Sequence, residues 1–211
     1  MALKYRIIPV TPLQQNCTLL WCEETRQGVL SDPGGESRRI LAVIEQHDVQ
    51  VERILLTHGH FDHVGAAAEI AGTLKIPIVG PHEEDRFWLE MLPEQCGMFG
   101  FPPQPAFLPD FWLAEGEQIA VGQLLFNVLH CPGHTPGHVV FVEQAQKLAI
   151  VGDVLFKGSV GRSDLPRGDG ATLLQSIKQK ILPLGDEVRF IPGHGPMSTI
   201  GEEKRSNPFL R

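Results

Sequence analysis

Residues 57–63 read Thr57-His58-Gly59-His60-Phe61-Asp62-His63, at the point where the apolar, β-rich run Val51–Leu56 gives way to a helical pattern. Four side chains able to ligate a metal fall within six residues. Where a strand exits in extended form, positions two apart face one way, so His58 and His60 can address one metal. Asp62 and His63, where the chain turns into the helix, can address a second. Gly59 leaves room for the tight backbone this arrangement needs.

Three further candidates share one context, an apolar strand followed by glycine or proline. They are His134 in Pro132-Gly133-His134-Thr135-Pro136-Gly137, Asp153 in Ile150-Val151-Gly152-Asp153, and His194 in Ile191-Pro192-Gly193-His194-Gly195-Pro196. Each alone reads as a turn residue or a helix cap, but ligands presented on loops at sheet ends share this setting. The set partitions into His58, His60 and His134 on one metal and Asp62, His63 and His194 on the other, with Asp153 bridging. Imidazole and carboxylate without thiolate suit two divalent ions, zinc first, with iron or manganese tolerated. His138 reads as a packing or supporting histidine, and His47, His82 and His130 show no ligand context.

Around this centre, Tyr5–Val10, Asn16–Trp21 and Val29–Asp32 read as a strand meander that Asp32-Pro33-Gly34-Gly35 breaks. A helix through Ile40, Leu41, Ile44 and His47 precedes Val51–Leu56, and a second helix is expected over Asp62–Lys75 before the strand Ile76–Val79. Glu83–Leu113 mixes aromatics with prolines and reads as an irregular segment, either a lid or a loop packed on the core. Strands return at Leu124–Leu129, His138–Val142, Leu148–Val151 and Val188–Ile191, with a helix around Leu173, Leu174, Ile177 and Ile181. Two sheets face to face with helices outside, an α/β (α+β) sandwich of four layers, are expected.

The 211 residues suit one sizeable domain, and 42% hydrophobic with 20% charged residues excludes wholesale disorder. A net charge of −7 without a basic stripe argues against nucleic acid as partner. No apolar stretch is long enough to span a bilayer and the N-terminus does not read as a secretory signal, so no membrane partner is expected and the cytosol is the expected compartment. Cys17, Cys22, Cys96 and Cys131 show no Cys-x-x-Cys spacing and read as reduced packing residues. The sequence leaves the oligomeric state open.

The His58-x-His60-x-Asp62-His63 motif, Pro-Gly-His134-Thr-Pro-Gly-His138, Gly152-Asp153-Val-Leu-Phe156, Gly161-Arg162-Ser-Asp164 and Pro-Gly-His194-Gly together resemble the metallo-β-lactamase superfamily. Within it they are similar to the glyoxalase II (hydroxyacylglutathione hydrolase) branch in its compact bacterial form. The resemblance implies an αββα sandwich with a dinuclear site at one edge. It also implies one domain over 1–211, without the C-terminal helical domain that supplies part of the glutathione pocket in typical members. Arg162 takes the place of a basic residue near the glutathione carboxylate, whereas Asp164 stands where an aromatic is expected. Arg162 either binds a substrate carboxylate or locks its loop by pairing with an internal acid.

Two divalent ions sharing a hydroxide lower the pKa of bound water toward ~7 and polarise a carbonyl. No separate nucleophile triad or obvious acid for a poor leaving group is evident. A thiol, with a pKa of about 8.5, needs little protonation, so a small-molecule thioester suits the site better than an amide. The expected activity is hydrolysis of S-lactoylglutathione to lactate and glutathione, as in methylglyoxal detoxification, with Asp62 orienting the hydroxide or carrying its proton. The alternatives are an iron-dependent persulfide dioxygenase and a non-catalytic metal-binding redox-partner module.

Overall fold

The computed structural model describes residues 2–211. Strands β1 (Leu3–Val10), β2 (Gln15–Cys22), β3 (Gln27–Ser31), β4 (Gln50–Leu55) and β5 (Ile78–Val79) form one sheet in that order. Hairpin pairing joins β1 to β2 and β2 to β3, and β3, β4 and β5 run parallel. The second half supplies β6 (Gln118–Val121), β7 (Leu124–His130), β8 (Val139–Glu143), β9 (Leu148–Gly152), a small hairpin of β10 (Leu155–Phe156) and β11 (Ser159–Val160), β12 (Arg189–Pro192) and β13 (Ser198–Thr199). Its six-stranded sheet runs β13-β12-β9-β8-β7-β6.

Side-chain alternation makes the layers. A strand covered on both faces is apolar throughout and sends successive residues to opposite sides. Leu19, Leu30 and Ile54 of the first sheet pack against helices α1 (Ser37–Gln46), α2 (Phe61–Val64) and α3 (Ala67–Leu74). Their strand neighbours Leu20, Val29 and Leu55 enter a central core with Phe126, Val139, Phe141, Leu148 and Ile150 of the second sheet. Val140, Val142, Ala149, Val151 and Phe190 face outward onto Leu173 of α6 (Gly170–Ser176), Ile177, Ile181 and Ile200. Three apolar cores separating four layers follow from a period of two read on both faces. Truncating a central residue such as Phe141, fully buried, to alanine costs about 3–5 kcal/mol.

The structure redraws three expectations. The helix expected over Asp62–Lys75 is two pieces, because the Ala66 amide donates to Pro33 O instead of continuing the ladder. A Cβ on Gly65 would stand 2.6 Å from Gly34 O, so the helix breaks where it touches the Asp32–Gly35 turn. The first half of Glu83–Leu113 is ordered as a 3-10 turn (Glu83–Asp85) and helices α4 (Arg86–Glu90) and α5 (Leu92–Met98). Trp88, Leu89, Leu92 and Cys96 are buried there, so this half is part of the core, while Phe99–Leu113 is irregular. Strand β6, the β10–β11 hairpin and β13 were not anticipated, since two to four residues are too few to show periodicity. The C-terminal residues form α7 (Ile200–Ser206) and a short 3-10 turn. All four cysteines are buried thiols, as expected.

Candidate metal centre

Each candidate ligand leaves the end of a strand on the same edge of the sandwich. His58–His63 follow β4, His134 lies between β7 and β8, Asp153 follows β9, and His194 follows β12. Backbone bonds tie the loops in pairs: Val139 N–H donates to Thr57 O and Gly193 N–H to Gly152 O, while Asn16 N–H of β2 donates to Gly193 O. Asn16 Nδ2 also donates to Pro192 O and Gly195 O, which fixes the turn that carries His194.

His60 Nδ1 lies 3.0 Å from both His58 Nε2 and His134 Nε2. Tautomers follow from the other side of each ring. The Thr57 hydroxyl gives its proton to Asp32 Oδ2, so His58 Nδ1–H donates to Thr57 Oγ1 at 3.0 Å and its Nε2 is a lone pair. His134 Nδ1–H donates to Arg162 O at 2.7 Å, so its Nε2 is a lone pair as well. One His60 proton cannot satisfy both neighbours, so unpaired lone pairs are left among nitrogens that lie within 4.8 Å of one another. Burial, then the positive charge of neighbouring imidazoles, holds His58 and His60 well below the ordinary histidine pKa; burial lowers His134 also. Three neutral imidazoles, with His60 Nδ1 3.0 Å from each of the other two nitrogens and all three within 4.8 Å, suit a single divalent ion.

The second group is mixed. His63 Nε2 faces Asp153 Oδ1 at 3.4 Å and Asp62 Oδ2 at 3.9 Å, and His194 Nε2 faces Asp62 Oδ2 at 3.2 Å and Asp153 Oδ2 at 3.8 Å. Asp153 Oδ2 is 3.5 Å from His134 Nε2, so this carboxylate spans both groups. His63 Nε2 and Asp153 Oδ1 are buried with no hydrogen-bond partner, an expensive arrangement that a cation between them would resolve. The donor set therefore fits metal ions. Burial opposes charge on His63, but the Asp153 and Asp62 carboxylates outweigh it and raise its pKa well above the ordinary value. His194 is raised in the same way, burial being outweighed by Asp62 and Asp153.

Sequence reasoning missed two supporting carboxylates. Asp32, in the turn after β3, accepts from Thr57 N–H at 2.8 Å and reaches His63 Nδ1 at 3.0 Å. Asp85 is buried and accepts three hydrogen bonds, and burial pushes its carboxyl up to about 7 against those donors. A carboxylate ending a strand parallel to β4 was the available signal for Asp32, whereas Asp85 hides in an acidic run that reads as solvated. His138 is the supporting residue expected: its ring stacks on His58 and Nε2 accepts from Asp153 N–H at 3.0 Å. Gly59 is required by close approach, since a Cβ would meet Trp88 Cβ at 2.7 Å.

His82, Glu84 and His130 form a further cluster, with both histidines half-buried and Glu84 exposed. Its two rings stack 4.2 Å apart at 14°, so no single ion lies in both ring planes, and His130 Nε2 donates to Pro136 O.

His60, Asp62, His134, Asp153 and His194 line a cleft of about 550 Å³ together with Leu13, Trp88, Met98, Phe99 and Phe156, and Lys157 and Arg162 line it as well. The Arg162 guanidinium is engaged by both Asp164 carboxylate oxygens at 2.7 and 2.8 Å, the internal-acid pairing weighed from sequence.

A four-layered sandwich with histidine and aspartate groups converging at one edge defines a metallo-hydrolase. Residues 10–194 match the metallo-beta-lactamase superfamily, and the chain belongs to it. It is 52% identical over 205 residues to the hydroxyacylglutathione hydrolase GloC of Haemophilus influenzae, covering 97% of this chain and 96% of that one. Among solved structures it is similar to TTHA1623 in a di-iron-bound form (41% identity, TM-score 0.89, 97% and 100% of the two chains). It is also similar to the BLEG-1 B3 metallo-beta-lactamase (38% identity, TM-score 0.91, 98% and 99%). Among the described residues no helix is long and apolar enough to cross a membrane.

Proposed function

We propose that this chain hydrolyses thioesters, S-lactoylglutathione foremost, yielding lactate and glutathione. The observation that carries the reading is Asp153: its Oδ1 faces His63 and its Oδ2 faces both His134 and His194, so one carboxylate in the cleft reaches both ligand groups. His58, His60 and His134 would hold one divalent ion, Asp62, His63 and His194 the other, and Asp153 both; zinc is the first candidate and iron or manganese suit the same donors. Bound there, the ions supply a water activated at neutral pH and polarise the scissile carbonyl.

The remaining work falls to side chains. Asp62, with Oδ2 beside His194 Nε2, orients the attacking water or takes its proton. Trp88, Phe99 and Phe156 line the cleft and would shield the reacting carbonyl. No buried acid other than the ligands lines the cleft to protonate a poor leaving group, which favours a thiolate over an amine. Arg162 lines the cleft, and its fork would exchange Asp164 for a substrate carboxylate. The name of the Haemophilus relative supports glutathione as the thiol carrier. A small-molecule substrate is in keeping with the net charge of −7, which disfavours nucleic acid and anionic membrane.

Comparing S-lactoylglutathione with lactoyl-coenzyme A and a chromogenic β-lactam tests the reading. Glutathione thioester turnover at least about tenfold faster is expected, a transition-state preference of about 1.4 kcal/mol. Preferential cleavage of the β-lactam, or oxygen uptake with glutathione persulfide instead of hydrolysis, would replace it.

A further inference from the structure

We infer that Asp85 is a positioning residue that joins the two ligand loops of the three-histidine site and so sets its affinity for metal; the inference rests on the ligand assignment proposed above. Asp85 sits on neither loop. Its Oδ2 accepts from Gly59 N–H at 2.9 Å and from the Thr135 hydroxyl at 2.8 Å, and its Oδ1 accepts from Gly137 N–H at 2.6 Å. Gly59 lies between His58 and His60 on the loop after β4, in the first sheet. Thr135 and Gly137 follow His134 on the loop after β7, in the second. One carboxylate therefore fixes both loops beside the ligands themselves, whereas the backbone bond from Val139 N–H to Thr57 O joins only their flanks.

The neighbouring contacts make this a built device. Gln95 holds the opposite side of Gly59, donating to its carbonyl at 3.2 Å and accepting from Phe61 N–H at 3.1 Å. His82 N–H donates to Gly137 O at 3.0 Å, so the segment bearing Asp85 makes three hydrogen bonds to the His134 turn. Small residues meet it: a Cβ on Gly137 would stand 2.5 Å from Asp85 N and 2.8 Å from Asp85 Cβ. Three donors converge on two oxygens, a demand that only a carboxylate meets fully. An asparagine turns one acceptor into a donor and sets its NH2 against an N–H of one of the two loops. Outer partners that orient ligands are commonly worth about 10–100-fold in metal affinity.

The test is a titration of chelator-stripped full-length protein with Zn²⁺ in competition with a chromophoric chelator, beside the melting temperature with and without Zn²⁺. Wild type is expected to take two ions. Asp85→Asn is expected to bind one of them at least about tenfold more weakly and to lose part of the Zn²⁺-induced rise in Tm. Should Asp85→Asn fail to fold, Thr135→Val removes a single donor and is expected to weaken the same ion by about threefold or more. Equal affinities for both ions in the variants, with apo and loaded Tm lowered alike, would make Asp85 merely structural and overturn the inference. No Zn²⁺ uptake by wild type would overturn the ligand assignment and the inference with it.

Discussion

Asp32 Oδ2 lies 3.0 Å from His63 Nδ1, joining residues 31 positions apart, with both side chains essentially withdrawn from solvent. The contact holds the Nδ1 proton and leaves Nε2 facing Asp153 Oδ1 at 3.4 Å, where it would ligate a metal once its own proton is released. Asp32→Asn keeps the shape but weakens the acceptor. It is expected to lower metal affinity at the Asp62, His63 and His194 group by about 10–100-fold without abolishing folding, as read by metal titration and circular dichroism. Unchanged affinity would show that Asp32 serves only the Thr57 turn.

Two glycine substitutions separate site from scaffold. A Cβ on Gly193 would lie 2.0 Å from Asp153 Oδ1 and 2.6 Å from His63 Cε1, so Gly193→Ala is expected to displace both ligands and lose bound metal. Gly72, in α3, has open space around it, and Gly72→Ala is expected to stabilise the protein by about 0.5–1 kcal/mol through helix propensity alone. Elemental analysis of the first and thermal melts of the second check the pair.

Much of this was legible in the sequence, because the layers rest on period-two alternation and the candidate ligands on short motifs at strand ends. His58 through His63, His134, Asp153 and His194 all arrive at one edge, within 4 Å of partners in the same set. What escaped was held by tertiary contact. The break between α2 and α3 depends on Pro33 O capturing the Ala66 amide, and nothing local to 62–75 announces it. Asp85 and Asp32 act on loops 25 or more residues away, and an isolated carboxylate carries no motif.

The buried thiols give a pH-dependent expectation. Burial pushes Cys131 up to about 12 and Cys17 well above the usual thiol range. An acid whose folded pKa is raised contributes stability that is complete below its unfolded value, near 8.5, and is lost as pH climbs toward 12. At pH 8 iodoacetamide is therefore expected to leave Cys17 and Cys131 unmodified in native protein and to label both once the chain is unfolded. Native labelling of either, read by peptide mass, would contradict their placement in the core.

Arg162 contributes to the centre by its backbone, whose carbonyl fixes His134, while its exposed side chain pairs with Asp164 at the cleft. Arg162→Ala is accordingly expected to keep full metal content and to raise KM about fivefold, the loss of roughly 1 kcal/mol of solvent-screened binding, with kcat little changed. Loss of metal, or an unchanged KM, would remove the side chain from substrate recognition.

The most direct measurement is the rate of thioester loss from S-lactoylglutathione by metal-replete protein, beside chelator-treated protein and an Asp153→Ala variant whose metal content is determined in parallel. Turnover that the chelator abolishes, that returns with added divalent metal and that falls at least about a thousandfold in Asp153→Ala is the predicted result. Turnover that persists undiminished after complete metal removal, or no turnover by fully loaded wild type, would contradict the account.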